Sequence, residues 1–226
     1  MPGIGLLNEK PLHASLKQWY AQPGDRFEVT VDGFVIDIVR DDLLIEIQTG
    51  HFAAIKSKLT HLTRSRQVRL IYPIAHEKWI VQLASNGRGE AVRRKSPKRG
   101  RLEDLFREMV SIPHLLSNPN FSLAVLMTRE DEVRRSEGKH KRRRRGWGIE
   151  GRRLLDVVDQ RLFERPADWR GLLPQGLETF TTSDLAAAMD TDRDLAQKMA
   201  YCLCKGKVIE LIGKRGRAHL YQLAGT

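Results

Sequence analysis

Asp37, Glu46 and Gln48 are the residues of this chain whose types and spacing could do chemistry. They lie in Phe34–Gln48, FVIDIVRDDLLIEIQ, where two dense apolar runs flank the polar turn Arg40-Asp41-Asp42. Asp37 interrupts Val35–Val39, and Glu46 and Gln48 interrupt the run that begins at Leu43. A lone carboxylate buried in such a run costs several kcal/mol or gives up its charge. Something must compensate, and a divalent cation is one candidate.

The register follows from the turn. If Asp41-Asp42 is a two-residue hairpin turn, Arg40 faces Leu43, Val39 faces Leu44, Ile38 faces Ile45 and Asp37 faces Glu46. A four-residue loop keeps this pairing. Opposed Cβ atoms then lie about 4.5–5.5 Å apart. The period of two along a strand puts Gln48 on the face of Glu46. Two like charges opposed in this way destabilise the sheet unless a cation lies between them. A hydrogen-bonded or arginine-paired core cluster would satisfy the same geometry.

The flanking sequence supplies elements to hold that patch. Glu9–Ala21 is predicted as a first helix, with Pro11 in its first turn and Glu9, Leu12, Leu16 and Tyr20 near one face. Arg26–Val31, Phe34–Arg40 and Leu43–Gln48 read as three strands, the first two joined at Asp32-Gly33. Phe52–Arg64 reads as a helix with Phe52, Ile55, Leu59 and Leu62 inward and Lys56, Lys58 and Arg64 on its other face. Val68–Ala75 and Lys78–Leu83 read as two more strands, and the intervening helix permits a parallel crossover. Leu102–Val110 and Pro113–Leu116 are predicted helical and Phe121–Thr128 a strand. Glu130–Gly138 is predicted helical at its start.

Net charge is +11 over 226 residues, and its distribution is uneven. Residues 1–90 hold 11 Lys+Arg against 10 Asp+Glu, residues 91–145 hold 16 against 7, and residues 146–226 hold 12 against 11. The middle segment alone carries an excess of nine, the electrostatic footprint expected for nucleic acid. A solvated arginine-rich linker would read the same way. No apolar run approaches the roughly 20 residues of a membrane span, and the N-terminus lacks a secretory pattern. The two cysteines, Cys202 and Cys204, sit too close for a structural disulfide. The expectation is a cytoplasmic protein with no membrane partner.

Lys139–Gly148 is the clearest linker candidate, with six Lys or Arg and flanking glycines. The expected domains are 1–138, a basic linker at 139–150, and 151–226. In the last, Arg152–Phe163 is predicted as an amphipathic helix with Leu155, Val158 and Leu162 in register. Thr181-x-x-Asp184 resembles a capping box opening a helix to Met189. Asp192 can cap a second helix that buries Leu195, Met199 and Leu203 and ends near Gly206. Val208–Ile212 and His219–Leu223 flank the basic tip Gly213–Arg217 as a hairpin. Helix, helix, turn, helix, hairpin is the order of a winged helix-turn-helix.

A helix with Glu9, then Asp37, then Glu46-Ile47-Gln48, then a helix and a strand, resembles the PD-(D/E)xK nuclease superfamily over about residues 5–85. It is most similar to the ExQ variants, such as CoiA-like competence nucleases and bacterial proteins with an EIQTG stretch. The resemblance implies an α/β restriction-endonuclease-like core with a mixed sheet, followed by the small winged-helix domain. It implies Mg²⁺ or Mn²⁺ held by Asp37, Glu46 and the Ile47 carbonyl, with Glu9 completing the shell, and hard oxygen donors suit that ion. Gln48 stands where the family has lysine. Glutamine can orient water but adds no charge and is no base, which leaves open whether Lys56 or Lys58 replaces it. The position before Asp37 is Ile36 where the motif has proline.

The function so implied is a deoxyribonuclease with Glu9, Asp37, Glu46 and Gln48 as its catalytic set. DNA is the expected partner. Arg93, Arg94, Lys95, Lys98, Arg99 and Arg101 would contact phosphates, with Lys141 and Arg142, Arg143, Arg144 and Arg145 of the linker. Lys198, Lys214, Arg215 and Arg217 would anchor the duplex. The alternatives are a DNA-binding regulator or an assembly protein with a silent nuclease core. The oligomeric state stays open, a homodimer being one option. His51 is read as a structural loop residue, Gly87-x-Gly89 fits no phosphate loop, and Trp147 and Trp169 are read as packing residues.

Overall fold

The structure, a computed structural model, describes residues 11–83, 91–136 and 147–225. Strands β1 (Arg26–Val31), β2 (Phe34–Arg40) and β3 (Leu43–Ile47) form the expected meander. β2 and β3 pair antiparallel with Ile38 opposite Ile45, Val39 opposite Leu44 and Arg40 opposite Leu43, the register a two-residue turn demands. Asp41 takes φ 50° in that turn, a left-handed conformation that Asp tolerates better than most residues. Helix α2 (Phe52–Leu62) carries the chain to β4 (Gln67–Leu83), which runs parallel to β3 from Leu43–Gln67 to Ile47–Ile71. Parallel neighbours need a crossover, and α2 provides it while burying Phe52, Leu59 and Leu62. Ile36, Ile38, Val39, Leu44, Ile45 and Ile47 are all buried, as expected for strands covered on both faces.

The chain is α/β, with a mixed sheet of seven strands. Their order is β1-β2-β3-β4-β6-β7, with β5 (Val92–Lys95) added to β4; β6 is Phe121–Ser136 and β7 is Trp147–Phe163. Three sequence expectations are corrected here. Arg152–Phe163 is strand within β7, not an amphipathic helix. Its supposed buried stripe faces outward, with Leu155 46% and Val158 38% exposed. Val157 and Val158 favour strand, and hydrogen bonding to β6 outweighs the 3.6-residue pattern. Glu130–Ser136 continues β6 instead of turning helical, because its charges find partners on β4 and β5. Lys78 Nζ donates to Glu132 Oε2 at 2.6 Å, and Arg93 Nε to Asp131 Oδ1 at 2.9 Å. Val68–Ala75 and Lys78–Leu83 are parts of the single strand β4, unbroken at His76-Glu77.

The chain divides into two compact units. One comprises Met1–Pro23, Pro73–Arg101 and Leu126–Gln160. In it, α1 (Pro11–Tyr20) buries Leu12, Leu16 and Tyr20. The other comprises Gly24–Tyr72, Leu102–Val125 and Arg161–Thr226. It holds the meander, α2, a 3-10 turn at Leu102–Leu105, α3 (Phe106–Met109), a second 3-10 turn at Pro113–Ser117, and the C-terminal elements. These last are α4 (Pro166–Arg170), β8 (Thr179–Phe180), α5 (Thr182–Ala188), α6 (Arg193–Lys205), β9 (Ile209–Arg215) and β10 (Ala218–Leu223). β8, β10 and β9 make a second sheet in that order.

Both helix starts read from sequence form as expected. Asp184 Oδ2 accepts from Thr181 N–H at 2.8 Å, and Asp192 Oδ1 accepts from Leu195 N–H at 2.7 Å. α6 packs on α3 and on the second 3-10 turn. Gly206 lies so close to Leu116 there that an added Cβ would meet it at 2.6 Å. Trp169 is fully buried and stacks on Phe163 with ring centroids 4.4 Å apart, the packing role read for it. Among the described residues, no helix is long and apolar enough to cross a membrane.

Candidate functional site

The β2/β3 ladder ends at the Ile38–Ile45 pair, one short of the expected Asp37–Glu46 pair, and Asp37 instead meets the backbone beside Glu46. Past the Ile38–Ile45 pair, Ile47 N–H donates to Asp37 Oδ2 at 2.9 Å. Asp37 is half-buried, and Glu46 is only 6% exposed. Burial pushes the Glu46 carboxyl up to about 7; Lys58 pulls it down, and the Asp37 charge adds to the rise. Near neutrality this carboxylate is thus short of positive charge. Its Oε1 accepts no well-aligned hydrogen bond.

The nearest cation is one the helical reading had turned outward. Lys58 forms an ion pair with Glu46 Oε1 and donates to the Val35 carbonyl at 2.5 Å. Its side chain is 16% exposed, whereas Lys56 is exposed as expected. Residue 58 flanks the buried stripe of Phe52, Leu59 and Leu62, and a lysine stem is long enough to lie along that apolar edge and carry its ammonium inward. The signal available in sequence was this position at the margin of the stripe.

Gln48 is occupied differently from the expectation. Its Nε2 donates to the Gly50 carbonyl at 2.5 Å and lies 3.5 Å from that of His51. The amide that could orient water braces the loop entering α2 instead. His51 ends that loop with φ 59° and provides no side-chain cap to the helix. The cap comes from Glu108 of α3, whose Oε2 accepts from Phe52 N–H at 3.0 Å. A carboxylate there complements the helix dipole. No sequence signal pointed to Glu108, which lies 56 residues from Phe52.

Several of the basic candidates are engaged in ion pairs. Lys95 and Arg99 reach Glu77 Oε1 at 2.6 and 3.4 Å, and Arg129 reaches Glu77 Oε2 at 2.9 Å. Arg93 pairs with Asp131, and both Arg93 and Lys95 lie over Trp79. Arg94, Lys98 and Arg101 are exposed. Lys198 pairs with Asp194 at 2.7 Å and Arg215 with Asp184 at 3.0 Å, while Lys214 and Arg217 are exposed at the hairpin tip. Glu9 and the run Lys141, Arg142, Arg143, Arg144 and Arg145 lie outside the described residues. Among the described residues, no three of His, Cys, Asp and Glu gather as a metal site; Asp37 and Glu46 are a pair.

A family described as a domain of unknown function, DUF8091, matches residues 10–164. That span runs from the start of α1 to the end of β7 and includes the patch. An uncharacterized protein of Treponema pallidum (strain Nichols) is 30% identical over 189 residues, covering 81% of this chain and 73% of that protein. No solved structure matches. With a match over more than half of its length and that similarity to a treponemal relative, the chain belongs to the DUF8091 family.

Proposed function

We propose that this protein is a metal-dependent nuclease that hydrolyses DNA phosphodiester bonds at the Asp37–Glu46 patch, on a restriction-endonuclease-like core. One observation carries the reading: a half-buried Asp and a buried Glu converge beside a lysine, and the Glu is held near 7 by burial. Charge-deficient carboxylates of this kind cluster at functional sites. The donor set fits Mg²⁺ or Mn²⁺, since two carboxylates suffice for an ion that keeps several of its waters. Asp37, Glu46 and the Ile47 carbonyl would hold it, with Glu46 Oε1 sharing or exchanging its ion pair with Lys58. When bound, the ion supplies an activated water and offsets charge on the scissile phosphate.

The chain's own residues do the rest. Ile47 N–H orients the Asp37 carboxylate in advance of any ligand. Lys58 carries the positive charge that Gln48 lacks, delivered from α2 instead of β3. The α5–α6 pair and the β9–β10 hairpin support the winged-helix reading in part, since the first helix expected for it, Arg152–Phe163, is strand. Lys214 and Arg217 suit phosphate contacts that position the duplex.

The test uses plasmid, linear duplex, branched and single-stranded DNA with Mg²⁺, Mn²⁺ or EDTA. Cleavage is expected only with metal, and Asp37→Ala and Glu46→Ala are each expected to lower it about 10²-fold or more. Cleavage that survives chelation and both substitutions would sink the proposal. A second reading, a DNA-binding protein with a silent core, draws on the engagement of Gln48 by the loop and of Glu46 by Lys58. Salt-sensitive binding without cleavage of any substrate favours it.

A further inference from the structure

α6 and the β9–β10 hairpin bound a cleft of about 440 Å³, within the range of small-ligand pockets. Arg193, Tyr201 and Lys205 share one face of α6, spaced by multiples of four residues, and Arg217, His219 and Tyr221 line the cleft from the hairpin side. Among the described residues, no carboxylate lines it. The acids of α6 are drawn elsewhere: Asp192 and Asp194 reach Arg107 of α3 at 2.7 and 3.4 Å, and Lys198 also holds Asp194. Asp184 is held by Arg215. These carboxylates are thus separated from the cations that line the cleft.

The cleft also offers rings. Tyr201 is 45% exposed on α6. Tyr221 is partly buried and held near Phe180 and His219, with centroids 6.1 and 6.3 Å away. A cationic cleft with an exposed phenol fits a ligand that joins an anion to a flat apolar ring. We infer that this cleft binds a nucleoside phosphate, either free or as the unpaired end of a nucleic-acid strand. The base stacks on Tyr201, and Arg193, Lys205 and Arg217 take the phosphate. A blunt duplex presents phosphates but keeps its bases paired and, except at the outer face of each end, stacked on one another, so it uses the ring less well than an unpaired strand. The strand-end form rests on the nuclease reading above, and the chemistry of the cleft does not.

The test is binding of the full chain in EDTA, read by fluorescence anisotropy with a labelled short single strand and the corresponding blunt duplex. The single strand is expected to bind more tightly than the duplex. Tyr201→Ala is expected to weaken single-strand binding about tenfold or more, in line with base stacking on an aromatic residue. Tyr201→Phe should retain it and Arg217→Glu should lose it. Competition by adenosine monophosphate would identify the free nucleotide as sufficient, and strand binding without competition would assign the cleft to strand ends. Binding in EDTA requires neither metal nor cleavage, so failure of the nuclease reading leaves this readout intact. Single-strand binding unchanged in Tyr201→Ala, or no binding of any of these probes, overturns the inference.

Discussion

Glu46 and Glu132 are both buried glutamates on strands, and their surroundings drive them in opposite directions. Burial raises the Glu132 carboxyl, but hydrogen bonds from Lys78 and Arg134 more than undo this and leave it below the ordinary carboxylate range. Glu46 has one lysine and a neighbouring carboxylate, and it is left near 7. Glu132 resembles a structural ion-pair hub, with its charge matched on the spot. Glu46 is left under-neutralised, the condition under which an added cation gains most.

Substitution at each site sharpens that contrast. Asp37→Ala and Glu46→Ala are expected to remove cleavage without destabilising the fold, and Glu46→Ala should gain stability over the parent as pH rises because a buried, ionising carboxylate is gone. Glu132→Ala is expected to do the reverse, lowering stability by about 3 kcal/mol because Lys78 and Arg134 lose a shared buried partner. Denaturant melts alongside the cleavage assay check both arms. The contrast breaks if Glu132→Ala abolishes cleavage in a folded protein.

Glu46→Gln gives a pH signature. Below pH 4.5 the side chain is protonated in both folded and unfolded states. Between 4.5 and about 7 the unfolded chain releases the proton and the folded chain keeps it, so the parent loses stability as pH rises. The variant lacks this loss. Its stability relative to the parent should climb by roughly 2–3 kcal/mol between pH 5 and 8, read from thermal melts. A flat difference would place Glu46 at an ordinary carboxylate value.

Lys58→Met tests whether the helix-borne lysine does chemical work. Cleavage should fall about tenfold or more, with Lys58→Arg retaining part of it because the charge persists. The Glu46 midpoint should also move further upward in the methionine variant, which carbon NMR of the carboxyl can follow. Equal cleavage by parent and Lys58→Met would return Lys58 to a structural role. The smallest effect is expected for Arg107→Ala, which releases Asp192 and Asp194 at the surface. Such exposed pairs contribute at most about 1 kcal/mol, so its melt should scarcely move.

The part of the fold most legible in sequence was the part governed by local chemistry. Asp41-Asp42 between two apolar runs dictated the hairpin, and the hairpin dictated the register. Thr181, Asp184 and Asp192 announced their helix starts through side chains that accept nearby N–H groups. The failures share a different cause. Leu155, Val158 and Leu162 fall at helical spacing by coincidence, and pairing with β6, invisible to a periodicity count, makes that segment a strand. At the site, Asp37 and Glu46 were readable because a carboxylate in an apolar strand is anomalous. Lys58 was not, because a lysine on a helix is ordinary until the direction of its stem is known. Glu108 was hidden by the 56 residues that separate it from the helix it caps.

That distant cap has a consequence for how the protein is made. A chain emerging from the ribosome presents β2, β3 and α2 well before α3. At ordinary elongation rates, roughly 5–20 residues per second, the interval between Phe52 and Glu108 is about 3–11 s. During that time the Phe52 N–H at the start of α2 lacks its carboxylate partner. The nascent protein therefore carries the two acids and the lysine before the start of α2 receives its cap, which comes from a segment translated after them.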